Sequence, residues 1–385
     1  MWTKYAVHMN EMEIKKSVEF PSGAASATEA VDGLLVYAAS LGASDIHIDP
    51  QSNATHVRFR IDGMLEAGGV LPAKLHEEII ARLKILAGAR TDIHAVPQDG
   101  RFRLELQGAP FNIRISFMPT YYGENAVARL LPAKHAVRDS FAGLGFGPDH
   151  VALLGHSLSA SNGLILVTGP TGSGKTTTLC VCLGLKAAEP LSIMTLEDPV
   201  EYEVPGVRHV HIRHGHGVTF ASGLRAALRQ DPDVIMVGEI RDNETARIAV
   251  HTALTGHLVL STLHTTSALD AIARLSDMGV EPYLLAATLR LVVSQRLVRA
   301  VCKKCFGAGD QCAACRGSGM IGCSVIAEVL EIDPELREMI GRGEPMSKLR
   351  AHAIARGFRP MADDAGEKVE WGVTTREEML SALYV

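Results

Sequence analysis

Between the apolar run "LILVT" and the apolar stretch "TTLCVCLGL" lies "GPTGSGKT", Gly169 to Thr176. No other feature constrains the fold as much, because such a loop works only where a strand delivers it to the start of a helix. Its glycines let backbone N–H groups close around phosphate. Lys175 would reach the β- and γ-phosphoryl oxygens, and Thr176 would hold Mg²⁺. Gly169, Pro170, Thr171, Gly172, Ser173, Gly174, Lys175, Thr176 and Thr177 are therefore the predicted nucleotide-binding segment.

The surrounding texture agrees with that context. Short apolar strands, "GLILVTG", "LSIMTLED", "DVIMVGE" and "GHLVLSTLH", alternate with helical segments, which predicts a parallel-sheet domain. Parallel strands carry their sites at their C-terminal ends. Hydrolysis needs a water-activating base and charge around the γ-phosphate, and the strand ends supply Glu197, Asp198 and Glu239, with Glu239 the preferred base. His257 and His264 flank "LVLSTL" and are candidates for sensing the phosphate.

Upstream the pattern is different. Val31, Leu34, Leu35, Ala38 and Leu41 recur at helical spacing, and "SDIHIDP", "THVRFRID", "RFRLEL" and "FNIRISF" then alternate as half-buried strands. Phe102, Leu104, Leu106, Phe111, Ile113, Ile115 and Phe117 share one parity, and Arg101, Arg103, Asn112 and Arg114 take the other, so one sheet face is basic. A "RLLPAKHAVRDSFAGLGFG" connection, punctuated by Pro and Gly, separates this region from the nucleotide-binding part.

A chain of 385 residues suggests two or three domains, and 38 basic against 43 acidic side chains leave no overall basic field for nucleic acid or an anionic membrane. The charged start, Met1 to Phe20, lacks the apolar core of a signal peptide, and no apolar run reaches the ~18 residues of a membrane helix. A cytoplasmic protein is expected. Of the seven cysteines, four fall in "VCKKCFGAGDQCAAC", and in a reducing compartment such clustering suggests metal ligands rather than disulfides.

Taken in order, "GPTGSGKTTTL", "LEDPVE", "GLRAALRQDPDVIMVGEIRD" and "ALTGHLVLSTLHTTSA" closely resemble the Walker A, Asp box, Walker B and His box of the secretion ATPases of type II secretion and type IV pilus assembly. "SDIHIDP", "RFRIDGML", "QDGRFR" and "RISFMPTYYGENAVARLL" extend the resemblance over roughly residues 30–385. It implies an α/β protein with a RecA-like P-loop domain, preceded by a small α+β, PAS-like domain. The expected organisation is a flexible arm at 1–28, the small domain at 29–131, a linker at 132–145 and the ATPase domain at 146–385. The last includes a cysteine element at 301–324 and C-terminal helices at 325–385.

The resemblance also implies ATP as the nucleotide and a homohexameric ring in which each small domain packs against the neighbouring nucleotide-binding domain. Arg101, Arg114 and Arg129 match the positions from which the family sends arginines to the γ-phosphate, as arginine fingers do. Glu197 and Glu239 would be the acidic pair, with Glu201, Arg225, Arg229 and Arg241 in support. The machine would drive pilin or pseudopilin assembly through an inner-membrane platform protein at the inner face of the cytoplasmic membrane. Membrane association would be peripheral and through partners only, with no direct nucleic-acid contact. A pilus-retraction or DNA-uptake motor is the alternative within the family, and a nucleic-acid translocase the alternative from another class.

Cys302, Cys305, Cys312 and Cys315 would match the zinc element of the assembly and secretion branches, which retraction ATPases usually lack. Zinc is preferred over four reduced thiols or a redox role. Here the sequence departs from the family, because only "FGAGDQ" separates the two Cys-x-x-Cys pairs. A second departure is that residues 1–28 are too few to replace the N-terminal docking domain common in assembly ATPases. "RHVHIRHGHG", with His209, His211, His214 and His216, is read as a structural strand and loop.

Overall fold

The apolar spacing around Val31 builds a helix over Ala27–Leu41, started by the Ser26 hydroxyl, which accepts from the Glu29 N–H, and stopped by Gly42 at φ 65°. The computed structural model describes residues 19–132 and 140–384, apart from the side chain of His214. Most of the predicted arm and half of the predicted linker therefore lie outside the described residues. What is described of them is ordered structure. Ala27 and Thr28 are helical, and Phe20 packs edge-on against Tyr37 and Phe59. Phe141 and Leu144, from the predicted linker, form a short helix buried in the core of the nucleotide-binding part. Apolar anchors thus extend both domains into segments whose Pro, Gly and polar residues suggested loops.

The chain divides into two units at Ala133 and Lys134. The first holds β1 (Asp45–Pro50), β2 (Ala54–Ile61), β3 (Met64–Pro72), β4 (Gln98–Leu106), β5 (Ala109–Thr120) and β6 (Gly123–Pro132). They pair antiparallel in the order β3-β2-β1-β6-β5-β4. Helices Ala27–Leu41 and His76–Ala87 supply Val31, Leu34, Leu35, Ile79, Ile80 and Leu83 to a core with Ile46, Ile48, Phe59, Ile113 and Ile115. Arg101, Arg103 and Asn112 are exposed, as the alternation requires.

Lys84 sits inside this unit with no exposed surface. Its Nζ lies 2.7 Å from the Glu124 carboxylate and donates to Ile93 O at 2.6 Å, and His94 Nδ1 approaches the same carboxylate at 2.6 Å. A buried cation is tolerable only with such compensation.

The second unit contains β7 (Gly163–Thr168), β8 (Ile193–Glu197), β9 (Arg208–His211), β10 (Val234–Val237), β11 (Leu258–Leu263), β12 (Leu289–Val301) and β13 (Met320–Glu331). Their order is β13-β12-β7-β11-β10-β8-β9, parallel from β12 to β9, with β13 antiparallel at the edge. Both faces are covered. Leu164 and Leu166 enter one apolar cluster and Ile165 and Val167 the other. None of the described helices is long and apolar enough to cross a membrane.

Glu124→Gln keeps the volume of Glu124 but removes the charge opposite Lys84. It is expected to destabilise the first unit by about 3 kcal/mol, the lower end for stranding a buried ion. The midpoint of denaturant-induced unfolding, followed on the whole chain, measures this.

Candidate active site

β7 delivers the glycine-rich loop to the helix Lys175–Ala187, with Gly174 at φ 84° as its N-cap. Gly169 is held at φ 143°, where a Cβ would lie 2.4 Å from Gln295 O and 2.7 Å from Ser173 Oγ, so only glycine fits. Lys175 Nζ donates to Gly169 O at 2.9 Å and Pro170 O at 2.8 Å. Burial lowers the pKa of Lys175 and the charge of Glu239 opposes that shift. Ser173 is 2% exposed, and its Oγ has no hydrogen-bond partner. Beneath the loop, fully buried Gln295 donates to Ser173 O at 2.7 Å and accepts from Thr178 Oγ1 at 2.8 Å.

The acidic candidates follow neighbouring strands. Glu239 comes two residues after β10 and lies 2.6 Å from Arg241 Nε and 3.6 Å from His264 Nε2. Burial, with help from Lys175, depresses the His264 pKa. Lys175, Glu239, Arg241 and His264 thus form one electrostatic group at the C-terminal edge of the sheet. Glu197 ends β8 and is 5% exposed, with Oε1 accepting from Thr195 Oγ1 at 2.6 Å and facing His209 Nδ1 at 2.8 Å.

His257 does not join this group. It precedes β11, and its Nδ1 lies 3.1 Å from Thr252 O, whereas His264 follows the same strand. A strand of six residues, about 20 Å long, lies between them, so they sit at opposite edges of a parallel sheet. Arg225 pairs with Glu244, and Arg229 donates to Arg225 O.

In the first unit, the arginines form a cross-strand row. Arg101 of β4 stands opposite Arg114 of β5, and Arg114 opposite Arg129 of β6. Asp45 of β1 faces Arg129 and binds its Nε at 2.9 Å, so that arginine is already engaged within its own sheet.

The four clustered cysteines converge as well. Their sulfurs lie within 4.8 Å of one another, with Cys302 and Cys312 at 3.9 Å and Cys305 and Cys315 at 3.6 Å. A tetrahedral site with Zn–S bonds of about 2.3 Å has edges of about 3.8 Å. Each Cys-x-x-Cys pair is followed by a residue at positive φ and a glycine, Phe306–Gly307 and Arg316–Gly317. The two reversals touch backbone to backbone, since a Cβ on Gly309 would lie 2.5 Å from Gly317 O and one on Gly319 would lie 2.6 Å from Gly307 O. The short insert closes because glycines permit that approach. No other His, Cys, Asp or Glu group among the described residues has ligand geometry.

Residues 22–381 match the family described as "Type II/IV secretion system protein". The chain belongs to this family. It is 46% identical over 357 residues to the type II secretion system protein HxcR of Pseudomonas aeruginosa, which covers 91% of this chain and 76% of the relative. It is 40% identical over 403 residues to the type IV pilus assembly ATPase PilB of Thermus thermophilus, covering 98% of this chain and 45% of that one. Among solved structures, the pilus retraction motor PilT with bound ADP is similar at a TM-score of 0.65 and 28% identity, covering 91% of this chain and 96% of that one. The protein is an ATPase of the secretion and pilus type.

The phosphate loop of this secretion ATPase suits ATP and Mg²⁺. The orphaned Ser173 hydroxyl, a Lys175 ammonium resting on loop carbonyls and a glycine cradle are complementary to phosphate oxygens, and Thr176, in the first turn of the helix, could hold the metal. Four thiolates at tetrahedral spacing could hold Zn²⁺ with no open position, and such a closed site supplies folding energy rather than catalysis. Gln295 belongs to no recognised motif, and His209 reads from the sequence as structural. The signal for Gln295 was a lone amide in the apolar run "LVVSQRLV", which buried strands do not tolerate without a partner.

Metal analysis of purified protein is expected to give one zinc per chain. Cys302→Ser should release it and open Gly307–Gly319 to protease while leaving nucleotide binding intact. Loss of the metal with unchanged protease sensitivity would contradict a structural role.

Proposed function

We propose that the chain is a subunit of a homohexameric, cytoplasmic ATPase that converts ATP hydrolysis into domain motion. The motion drives assembly of a type IV pilus or type II secretion pseudopilus through an inner-membrane platform protein. The observation that carries this reading is the gathering of Lys175, Glu239, Arg241 and His264 at one sheet edge, while the Arg101–Arg114 row stands on a separate unit. Such a division suits hydrolysis completed at subunit boundaries, so that turnover and domain movement are linked. The compact four-cysteine cluster supports the assembly direction over retraction.

In this reading the loop and Lys175 bind the phosphates and Thr176 holds Mg²⁺. Glu239 accepts a proton from the attacking water, and Glu197 helps orient that water. His264, its pKa depressed, is a neutral hydrogen-bonding partner beside the γ-phosphate. Arg101 and Arg114 reach a neighbouring subunit's nucleotide. Arg129 is a supporting member, because Asp45 neutralises it.

Glu239→Gln is expected to bind Mg-ATP nearly as wild type and to turn over about 10²-fold more slowly, the lower range for a lost general base. Single-turnover hydrolysis checks this. Wild-type chemistry in that variant, with Glu197→Gln inactive, would reassign the base.

Arg101→Ala should lower turnover by about 10³-fold with little change in ATP affinity. Mixed with Lys175→Ala subunits, it should recover some activity at interfaces that pair an intact loop with intact arginines. Confirmed mixing without recovery would place Arg101 in cis. Deletion of the gene should abolish fibres, and excess fibres would indicate retraction.

A further inference from the structure

β9 lies parallel to β8, with His209 opposite Thr195 and His211 opposite Glu197. The His209 ring is only 12% exposed, and its hydrogen bonds to Val204, Thr195 and Glu197 point to one tautomer. Nε2 accepts from the Val204 N–H at 3.0 Å, so that nitrogen carries no proton. The proton is therefore on Nδ1, which lies 2.8 Å from Glu197 Oε1 and 3.0 Å from Thr195 Oγ1. The Thr195 hydroxyl donates to the same Oε1 at 2.6 Å. Two donors converge on one oxygen of a buried carboxylate and leave Oε2 uncommitted by either.

We infer that His209 is a positioning residue that acts through Glu197. Its Nδ1–H holds Oε1 and so fixes the orientation of the carboxylate, leaving Oε2 to face the nucleotide edge of the sheet. The neighbouring loop is set by the same ring, because accepting from Val204 links the segment after Glu197 to β9. The role rests on the reading of Glu197 as a carboxylate that orients the attacking water.

A purely structural histidine would fill volume and anchor Val204. Three variants separate the possibilities in the intact protein, with Mg-ATP as substrate. His209→Phe keeps the volume but cannot donate to Glu197. A hydrogen bond to a charged group is worth about 1.5–3 kcal/mol, so kcat should fall at least about 10-fold while KM stays within about 2-fold. His209→Gln retains an N–H donor and a carbonyl acceptor in reach of the same partners and should restore most of kcat. Glu197→Gln should be slower still.

Equal losses of kcat in His209→Phe and His209→Gln, accompanied by equal drops in unfolding midpoint, would overturn positioning in favour of packing. A folded His209→Phe at wild-type kcat, with Glu197→Gln inactive, would remove His209 from the mechanism and leave Glu197 in place. Wild-type kcat in Glu197→Gln would overturn the reading of Glu197 itself, and the positioning role with it.

Discussion

The parallel pairing of β7 with β11 on one side and β12 on the other is the constraint on which the site depends. It places the carbonyl of Gln295 so close to Gly169 that no side chain can stand there, and the loop must turn away from the strand at that point. The next glycines then carry the chain into the helix that begins at Lys175. Because the neighbouring strands also run parallel, the residues that follow them arrive at the same edge: Glu239 after β10, His264 after β11, Glu197 at the end of β8. Position along a strand, more than residue type, decides membership of the site. His257 and His264 are the same kind of side chain flanking the same strand, and one is excluded because it lies at the wrong end.

Burial at this edge raises a second requirement, that polar groups be satisfied. Gln295 is held by Ser173 and Thr178, and Glu197 by Thr195 and His209. Thr168, the last residue of β7, accepts from the Thr265 N–H next to His264. Ser294 donates to Thr266 O, and Glu328 of β13 accepts from the N–H groups of Ala268 and Met361, which open two helices. The phosphate loop, the segment bearing His264 and the start of a C-terminal helix are thereby joined through short side chains in low dielectric, where an unmade hydrogen bond is costly.

The cysteine element solves a different problem. A short insert between two metal-binding pairs requires the chain to reverse twice within little space, and the reversals can approach only if neither carries a Cβ at the contact. Gly309 and Gly319 meet that condition. The element projects between β12 and β13, so its fold is local.

Local signals were strong where one residue type serves one need at a fixed spacing. The phosphate loop, the alternating strands of the first unit with their basic face, the strand-end carboxylates and the two Cys-x-x-Cys pairs were all legible before any coordinates, because glycine freedom, the two-residue period and thiol spacing act within a few residues. Other features depended on segments far apart in the chain. Phe20 was read as part of an arm because its aromatic partners, Tyr37 and Phe59, come later in the sequence. Phe141 was read as linker because its core lies in the next domain. The engagement of Arg129 by Asp45 depended on β1 pairing with β6, across 84 residues. The tautomer of His209 was set by a backbone N–H in a loop. Sequence determined which chemical groups this protein carries and their local geometry. Tertiary structure alone decided which of them share a low-dielectric edge, because strand order and direction bring distant residues together.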